Sequence, residues 1–334
     1  MRAAVVLCGI LFLLICSPAN ANDTFATLGA GGLVSAKSTQ IVMESEHLQI
    51  SVHQITVRYL FRNDTAKDVE AIVAFPLPDL DGGGIYNVPI ELPRKSDWNF
   101  VDFKVRSNGQ PIPVKMETRA RNGDRDINAR LRALGVPVSV LLEPLNSALM
   151  KLSAAQRAEL EKEHLIVRDG FNPPLRSVGR EGWWATWTMQ VKFYWTQRFP
   201  ANSIVELVQT YRPVVGGSYF AEESDGEESV QPYCGGAEAL RQIERIKQSH
   251  ERKGKPHLVF HERCIDYILT TANNWRGPIR HFRLSVQIDS PDDIVLTCRP
   301  RLERTKPTLY EFSQENFRPD RDLKLMILQA KQQD

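Results

Sequence analysis

Residues 183–217 form a long stretch of alternating apolar and polar side chains, and this pattern constrains the fold more than any other part of the sequence. Alternation with a period of two is typical of a β-strand that buries one face. A second alternating run, 204–211, follows the turn-forming residues 200–203. The stretch therefore predicts two long antiparallel strands joined by a turn, a central hairpin at 183–217.

The two faces of the first predicted strand differ in chemistry. Since burial of one large apolar side chain contributes about 1.5–3 kcal/mol, we expect the apolar face to anchor the core. The opposite face is polar except for Trp184 and Tyr194. The apolar face carries Trp183, Ala185, Trp187, Met189, Val191, Phe193 and Trp195.

Trp184 and Tyr194 are the candidate ligand or partner residues. Aromatic side chains on an exposed, polar face stack on sugars or become buried in a partner protein. The alternative is that a helical insertion, predicted below at 124–168, covers them. The sequence alone leaves both interpretations open.

Residues 1–21 have the pattern of a secretory signal peptide. Arg2 supplies a positive start, residues 3–15 are apolar, and Ala19-Asn20-Ala21 is a small-x-small cleavage site. Cleavage is predicted after Ala21. The apolar run is too short to cross a hydrocarbon core of about 30 Å, so we expect an exported or periplasmic protein rather than an anchored one.

The charge balance argues against a nucleic-acid partner. The chain has 42 Lys and Arg against 40 Asp and Glu, a formal net charge of +2 at pH 7, and Arg2 leaves with the signal peptide. A strongly basic surface is the usual footprint of nucleic-acid binding. After cleavage we also expect no transmembrane segment, because no later run is apolar for long enough.

The rest of the chain divides by the period of its apolar residues. Residues 22–123 predict an N-terminal β region with turns such as Asn108-Gly109. In residues 124–168 the apolar spacing is helical, and Ser153 with Gln156 forms a capping-box pattern. Strand patterns return in residues 169–334.

The predicted fold class is therefore mainly β, with antiparallel, sandwich-like sheets and a helical insertion at 124–168. The central hairpin belongs to the second β region, 169–334. We expect the insertion to cover one sheet face with its apolar stripe, with a lid over a cleft as the alternative.

Two places in the sequence contain residues of the types that bind metal ions. Asp79 and Asp81 flank the glycines 82–84 and could offer oxygen ligands to Ca²⁺, although short Asp/Gly clusters are ordinary turn chemistry. His257 and His261 would lie about 13 Å apart on one face of a strand, too far for one zinc ion. We therefore predict no metal or other cofactor, with Asp79 and Asp81 as weak candidates.

Three cysteines follow the predicted signal peptide: Cys234, Cys264 and Cys298. In an oxidising compartment one disulfide and one remaining thiol are expected. Cys234 and Cys264 both fall near predicted loops, while Cys298 ends a strand-like run. This placement favours a Cys234–Cys264 disulfide.

No catalytic motif is present in the sequence. It lacks a Gly-x-Ser-x-Gly elbow, a phosphate-binding glycine loop and a dinucleotide fingerprint. The favoured hypothesis is a non-catalytic envelope module that binds a protein or glycan partner. The alternative is a periplasmic glycan-acting hydrolase, since its two carboxylates need no local motif.

Several collinear segments resemble one family. They are IVMESEHLQISVHQITVRYLFRN with AIVAFPLPDL, FYWTQRFPANSIVELVQTYRPVVGGS, ILTTANNWRGPIRHFRLSV and NFRPDRDLKLMIL. Together they resemble the bacterial family known as domain of unknown function 4424 over nearly the whole chain after the signal peptide. The resemblance implies an exported envelope protein of a Gram-negative bacterium and carries no assigned reaction or catalytic residue.

Overall fold

A computed structural model describes residues 24–29, 32–85, 90–91, 98–141, 144–168, 182–220 and 226–332. The predicted signal peptide, 1–21, lies outside the described residues. Within this described part, strand makes up 46% and helix 20%, which confirms the mainly β class.

The strands, in chain order, are β1 (Thr24–Gly29), β2 (Gly32–Ser35), β3 (Ile41–Ile50), β4 (Ile55–Asn63), β5 (Val69–Pro76), β6 (Leu80–Asp81), β7 (Ile90–Glu91), β8 (Lys104–Ser107), β9 (Gln110–Ile112), β10 (Lys115–Asn122), β11 (Arg125–Asp126), β12 (Ile166–Arg168), β13 (Trp183–Ala185), β14 (Thr188–Phe199), β15 (Ser203–Tyr211), β16 (Val215–Gly216), β17 (Leu258–Tyr267), β18 (Ile279–Gln287), β19 (Ile294–Leu296), β20 (Glu303–Lys306), β21 (Leu309–Phe317) and β22 (Leu323–Gln332). The helices are α1 (Gly82–Ile85), α2 (Asn128–Ala133), α3 (Pro144–Lys151), α4 (Ala154–Lys162), α5 (Gly226–Val230) and α6 (Ala237–Arg252), with 3₁₀ turns at Gln231–Tyr233 and Thr270–Asn274.

The strands form four sheets. A seven-stranded sheet has the order β11-β10-β14-β5-β1-β2, with β6 beside β14, and an eight-stranded sheet has the order β20-β21-β18-β3-β4-β15-β8-β9. A five-stranded sheet runs β19-β22-β17-β16-β7, and β12 pairs with β13 alone. The pairing of β3 with β18 is parallel, and the other pairs between the described strands are antiparallel.

The predicted central hairpin is wrong as a pairing, although both strands exist. β14 pairs with β5 and β10 in the seven-stranded sheet, whereas β15 pairs with β4 and β8 in the eight-stranded sheet. The chain therefore crosses from one sheet to the other at the turn 200–202. Each strand has one apolar face. The two apolar faces lie opposite each other across the core, and both are therefore buried.

The predicted apolar face of β14 is the inner face of the seven-stranded sheet. Trp187, Phe193 and Trp195 are each at most 2% exposed. Across the core, Phe103 stacks on Phe193 with the ring centroids 4.5 Å apart. The interpretation of these aromatics as core residues is confirmed.

Residues 124–168 contain three short helices, and their apolar side chains face the same core. Leu131, Leu149 and Leu160 are fully buried. The Trp187 indole N–H donates to the carbonyl oxygen of Val138, at 2.9 Å. The predicted capping box begins α4, where Ser153 Oγ accepts from the Gln156 N–H and Gln156 Oε1 accepts from the Ser153 N–H.

The five-stranded sheet is buried on both faces. Ile265, Leu325 and Ile327 contribute to the large core between the two main sheets. Neighbouring residues of the same strands, such as Phe260 and Leu328, face a second, smaller core that α6 covers. Two-sided burial explains why β22 has an almost continuous apolar sequence.

The disulfide joins Cys234 to Cys298, with the Cα atoms 4.8 Å apart, and the predicted Cys234–Cys264 pairing is wrong. Cys264 lies outside the disulfide, half-buried in β17. Cys298 follows the end of β19 in a loop. The sequence pattern placed Cys264 near a loop, whereas it lies inside β17, which runs from Leu258 to Tyr267.

Candidate functional site

A pocket lies where the seven-, eight- and five-stranded sheets meet. Ile55 and Tyr211 belong to the eight-stranded sheet, and Ile265 and Asp266 belong to the five-stranded sheet. The lining residues are Ile55, Leu77, Pro78, Leu80, Val101, Tyr211, Pro213, Val214, Ile265 and Asp266. The pocket's room for a water-sized sphere is about 20 Å³, which is enough for about one water molecule.

The local sequence explains why the sheet leaves a space here. β16 pairs with β17 through Gly216 and Cys264. Two residues further along, Val214 and Asp266 would be the next opposing pair, but the strand pairing has ended. Pro213 has no N–H to donate to a ladder, so the two segments separate and the pocket begins.

Tyr211 is the buried polar side chain of this pocket. It is 3% exposed, and its hydroxyl forms no hydrogen bond with the described part of the chain. Burial raises the pKa of Tyr211, so the hydroxyl stays protonated.

Asp266 is the acidic residue among the lining residues that the structure describes. It is half-buried at the end of β17, and its register partner on β22 is Lys324. The other lining side chains, apart from Tyr211, are apolar. The lining is therefore mainly apolar, with one residue that bears a carboxyl group and one that bears a phenolic hydroxyl.

The structure places the candidates Trp184 and Tyr194 in different sheets. Trp184 lies in β13, directly opposite Val167 of β12. Tyr194 lies on β14 and packs against a small apolar cluster that includes Leu33 of β2. Both aromatics are half-buried, and the cover over Tyr194 is the N-terminal hairpin β1–β2 rather than the insertion.

Charged side chains hold that hairpin on the outer face of the seven-stranded sheet. Lys192 Nζ donates to the Leu33 carbonyl oxygen at 3.1 Å, and Glu117 Oε2 accepts from the Leu33 N–H at 3.1 Å. Burial lowers the pKa of Lys192. The two side chains cap the outward backbone groups of an edge strand, which is one way of protecting such an edge from pairing.

Asp79 accepts hydrogen bonds from a distant strand, and Asp81 accepts them within its own turn. The Gln190 side-chain amide donates to both carboxylate oxygens of Asp79, at 3.2 and 3.0 Å. Asp81 accepts from the N–H groups of Gly83 and Gly84. The two carboxylates thus serve different partners.

His257 and His261 are also separated. His257 precedes β17, while the His261 ring packs edge-on against Tyr219, with the centroids 4.5 Å apart. Within the described ranges, no group of three or more His, Cys, Asp or Glu residues is arranged to hold a metal ion.

One polar cluster on the eight-stranded sheet was not anticipated from the sequence. His47 Nε2 lies 3.0 Å from Ser285 Oγ, and Ser285 Oγ lies 3.4 Å from a carboxylate oxygen of Glu311. Burial and the nearby Arg283 lower the pKa of His47. In a catalytic triad the acid orients the histidine, whereas here Glu311 contacts the serine, so the cluster lacks that arrangement.

Sequence reasoning missed Tyr211 and Asp266 as site residues. Tyr211 lies on the same face of β15 as the buried Val205 and Leu207. The sequence therefore places a hydroxyl group on a core face, and this could have identified Tyr211 as a candidate. Asp266 had no such signal, because its place in the pocket depends on where β16 stops pairing with β17.

No helix among the described residues has the length and apolar character needed to cross a bilayer. A search of curated proteins found no match. One solved structure that the chain resembles comes from Legionella pneumophila subsp. pneumophila str. Philadelphia 1 and is described as a "putative nutrient binding protein". The TM-score is 0.47 and the identity 13%, covering 93% of this chain and 71% of that one. A family model described as "Domain of unknown function (DUF4424)" matches residues 21–326.

Proposed function

The chain belongs to the family described as domain of unknown function 4424, and we propose that it is an exported, non-catalytic binding module of the cell envelope. Its ligand contacts the mainly apolar pocket between the three sheets. We also propose that the leader 1–21 directs export to the periplasm and is removed after Ala21.

The observation that carries the binding role is the Tyr211 hydroxyl. It belongs to a side chain that is 3% exposed and lines a mainly apolar pocket, and no hydrogen bond joins it to a described residue. A phenolic hydroxyl can both donate and accept a hydrogen bond. A small group of a ligand could therefore pair with it at the pocket.

The alternative function, a glycan-acting hydrolase, receives less support from the pocket. Glycosidases use two carboxyl groups about 5–10 Å apart across the scissile bond. Of the described residues that line the pocket, Asp266 is the one with a carboxyl group. Binding needs no second acid, and so the binding role fits this lining better.

The binding role is tested with a neutral apolar probe, 1-pentanol, followed by amide chemical shifts in NMR spectra. We expect shift changes concentrated at the pocket residues, with saturation in the millimolar range. Val214→Trp, which places an indole at the half-buried mouth, should abolish the shifts. Val167→Trp, at an exposed site of β12, is the matched control and should leave them unchanged.

Unchanged spectra of the wild-type protein in 1-pentanol would remove the pocket as the binding site. The hydrolase alternative is tested by the release of reducing ends from envelope polysaccharides. A rate of polysaccharide hydrolysis that is abolished by Asp266→Asn would favour the hydrolase over the binding module.

Export is tested by the mass of the purified protein and by cell fractionation. We expect a mature chain that starts at Asn22 and is recovered in the periplasmic fraction. A chain that keeps Met1 and stays in the cytoplasm would contradict the proposed localisation.

A further inference from the structure

We propose that the start of β17, at the opposite end of the strand from the pocket, is a docking surface for an anionic lipid bilayer. This inference goes beyond the proposed ligand binding, because it concerns a second surface of the molecule. It rests on an exposed tyrosine and a group of cationic side chains that the five-stranded sheet brings to one place.

Tyr219 projects from this surface. Its side chain is 74% exposed, although the backbone on each side of it is fixed. The flanking residues Ser218 and Phe220 form backbone hydrogen bonds with β17, each 2.9 Å long. A tyrosine held with its ring in solvent has the amphipathic chemistry of the aromatic residues found at membrane–water interfaces.

Two cationic side chains lie on the same side of β17 as Tyr219. The residue that pairs with Tyr219 is His261, and Lys331 lies opposite Val259, two positions along the strand. Alternate residues of a strand share a face, which also places Arg263 on this side. Burial and then the charges of Arg263 and Lys331 lower the pKa of His261, so both charges act at the position of the tyrosine.

The connection from α6 to β17 adds three more cations at this end of the sheet. Arg252, Lys253 and Lys255 are exposed and lead into the first residues of β17, beside Lys331. The backbone N–H groups of Lys253 and Lys255 both donate to the His250 carbonyl oxygen, at 3.0 Å each. The turn is therefore held in place with its lysine side chains in solvent.

Two acidic residues lie near these cations. Glu251 is exposed in the last turn of α6. Asp289 contacts His53 and accepts a hydrogen bond from the Gln329 side chain, at 3.0 Å. Residues 252, 253, 255, 263 and 331 supply five Arg or Lys side chains against these two acids, so the surface is positive overall.

A bilayer suits this surface better than a small anion does. The charges are spread along a strand and a turn, and they surround an exposed ring rather than a cleft. Each Lys or Arg close to an anionic bilayer strengthens binding about fivefold. Attachment of this kind is peripheral and needs no membrane-spanning segment.

The proposal is tested by sedimentation of the full mature protein with vesicles at pH 7. One set of vesicles contains equal amounts of phosphatidylglycerol and phosphatidylcholine, and the other contains phosphatidylcholine alone. Three net charges predict binding about a hundredfold stronger to the anionic vesicles. Added salt should remove most of this difference, because it screens exposed charges.

Paired variants test the assigned roles. Lys253→Gln with Lys255→Gln should weaken binding to the anionic vesicles about 25-fold. Lys115→Gln with Lys306→Gln, at exposed lysines of β10 and β20, is the matched charge control and should leave binding within twofold.

The tyrosine is tested separately from the charges. Tyr219→Ala should weaken binding to the anionic vesicles about fivefold, since it removes the aromatic ring and retains every cation. Trp98→Ala, at an aromatic side chain 51% exposed, is its control and should leave the binding unchanged.

Several results would overturn the bilayer as the partner. These are equal binding to the two sets of vesicles, or full binding by the variant that lacks Lys253 and Lys255. Retention of the wild-type protein on immobilised polyglutamate without binding to either vesicle would replace the bilayer with an acidic protein. Each of these results leaves the pocket proposal untouched, because the 1-pentanol experiment reports on a different end of β17.

Discussion

The two hydrophobic cores of this protein differ in how they are stabilised. The large core lies between the seven- and eight-stranded sheets and contains many fully buried aromatic side chains, such as Trp187 and Phe103. The small core under α6 has eight buried residues, and the Cys234–Cys298 disulfide closes the chain across it. Small cores commonly need such a covalent link, and the five-stranded sheet, which faces both cores, connects the two.

The pocket lies on the side of the large core, at the end of the sheet that the two cores share. A stable core on one side fixes Tyr211 and the apolar walls. The end of β17 supplies Asp266. Changes to the large core should therefore affect the whole molecule, whereas changes to the small core should remain local.

The largest effect is expected from Trp187→Ala. Trp187 is 1% exposed and donates to the Val138 carbonyl oxygen, so its removal leaves a cavity and an unpaired acceptor. The free energy of unfolding should fall by about 3–5 kcal/mol in chemical denaturation. Trp98→Ala, at a site 51% exposed, is the control. Similar losses for the two variants would contradict the role of the large core.

Removal of the disulfide by Cys234→Ser with Cys298→Ser should have the next largest effect. The link closes a loop of 64 residues, and cross-links of this kind contribute about 2–4 kcal/mol. Hydrogen exchange should become faster in α6 and remain slow in β14. If β14 lost protection from hydrogen exchange to the same extent, the two cores would unfold together rather than independently.

Gly235→Ala should disturb the small core by a smaller amount. A Cβ at this position would lie 2.4 Å from Val230 Cβ and 2.9 Å from the Val230 carbonyl oxygen. Overpacking of this kind costs about 1–3 kcal/mol. Gly236→Ala is the matched control, because a Cβ there meets nothing within 4 Å. Equal melting temperatures for the two variants would argue against tight packing at Gly235.

The smallest effect should come from Glu262, which accepts a hydrogen bond from Ser229 of α5. Burial raises the pKa of Glu262 in the folded protein. The folded state therefore keeps this proton to a higher pH than the unfolded state, so stability falls as pH rises from the ordinary glutamate pKa through the raised value. Glu262→Gln should remove this part of the pH dependence.

The measurement is the melting temperature of wild type and Glu262→Gln as a function of pH between about 4 and 8. The variant should gain stability relative to wild type as the pH rises. Parallel curves across this range would show that Glu262 ionises in the folded protein as it does in the unfolded chain.

Much of the fold was predictable from local pattern. Alternation identified the buried face of β14, and the Ser153–Gln156 pattern identified the start of α4. The hairpin prediction failed because alternation reports which face is buried and not which strand lies alongside. The disulfide prediction failed because Cys264 was assigned to the neighbourhood of a loop, whereas it lies within β17, and Cys298 lies in the loop after β19.

The candidate site was less predictable than the fold. Trp184 and Tyr194 stood out because they are large side chains on a polar face, yet they lie in separate sheets. Tyr211 and Asp266 lie 55 positions apart in sequence, and the end of the β16–β17 pairing brings them to one pocket. No local sequence pattern indicates that two such distant residues line one pocket.

The sequence by itself determined the class of the fold, the buried faces of its strands, the helical character of 124–168 and the resemblance to its family. Each of these depends on the environment of a residue and its near neighbours, which hydrophobic period and capping chemistry record. Tertiary structure alone decided that β14 and β15 face each other across a core, that Cys234 bonds to Cys298, and that three sheets leave a pocket at Tyr211. These features depend on contacts between distant segments, and the order of strands in the sheets sets those contacts.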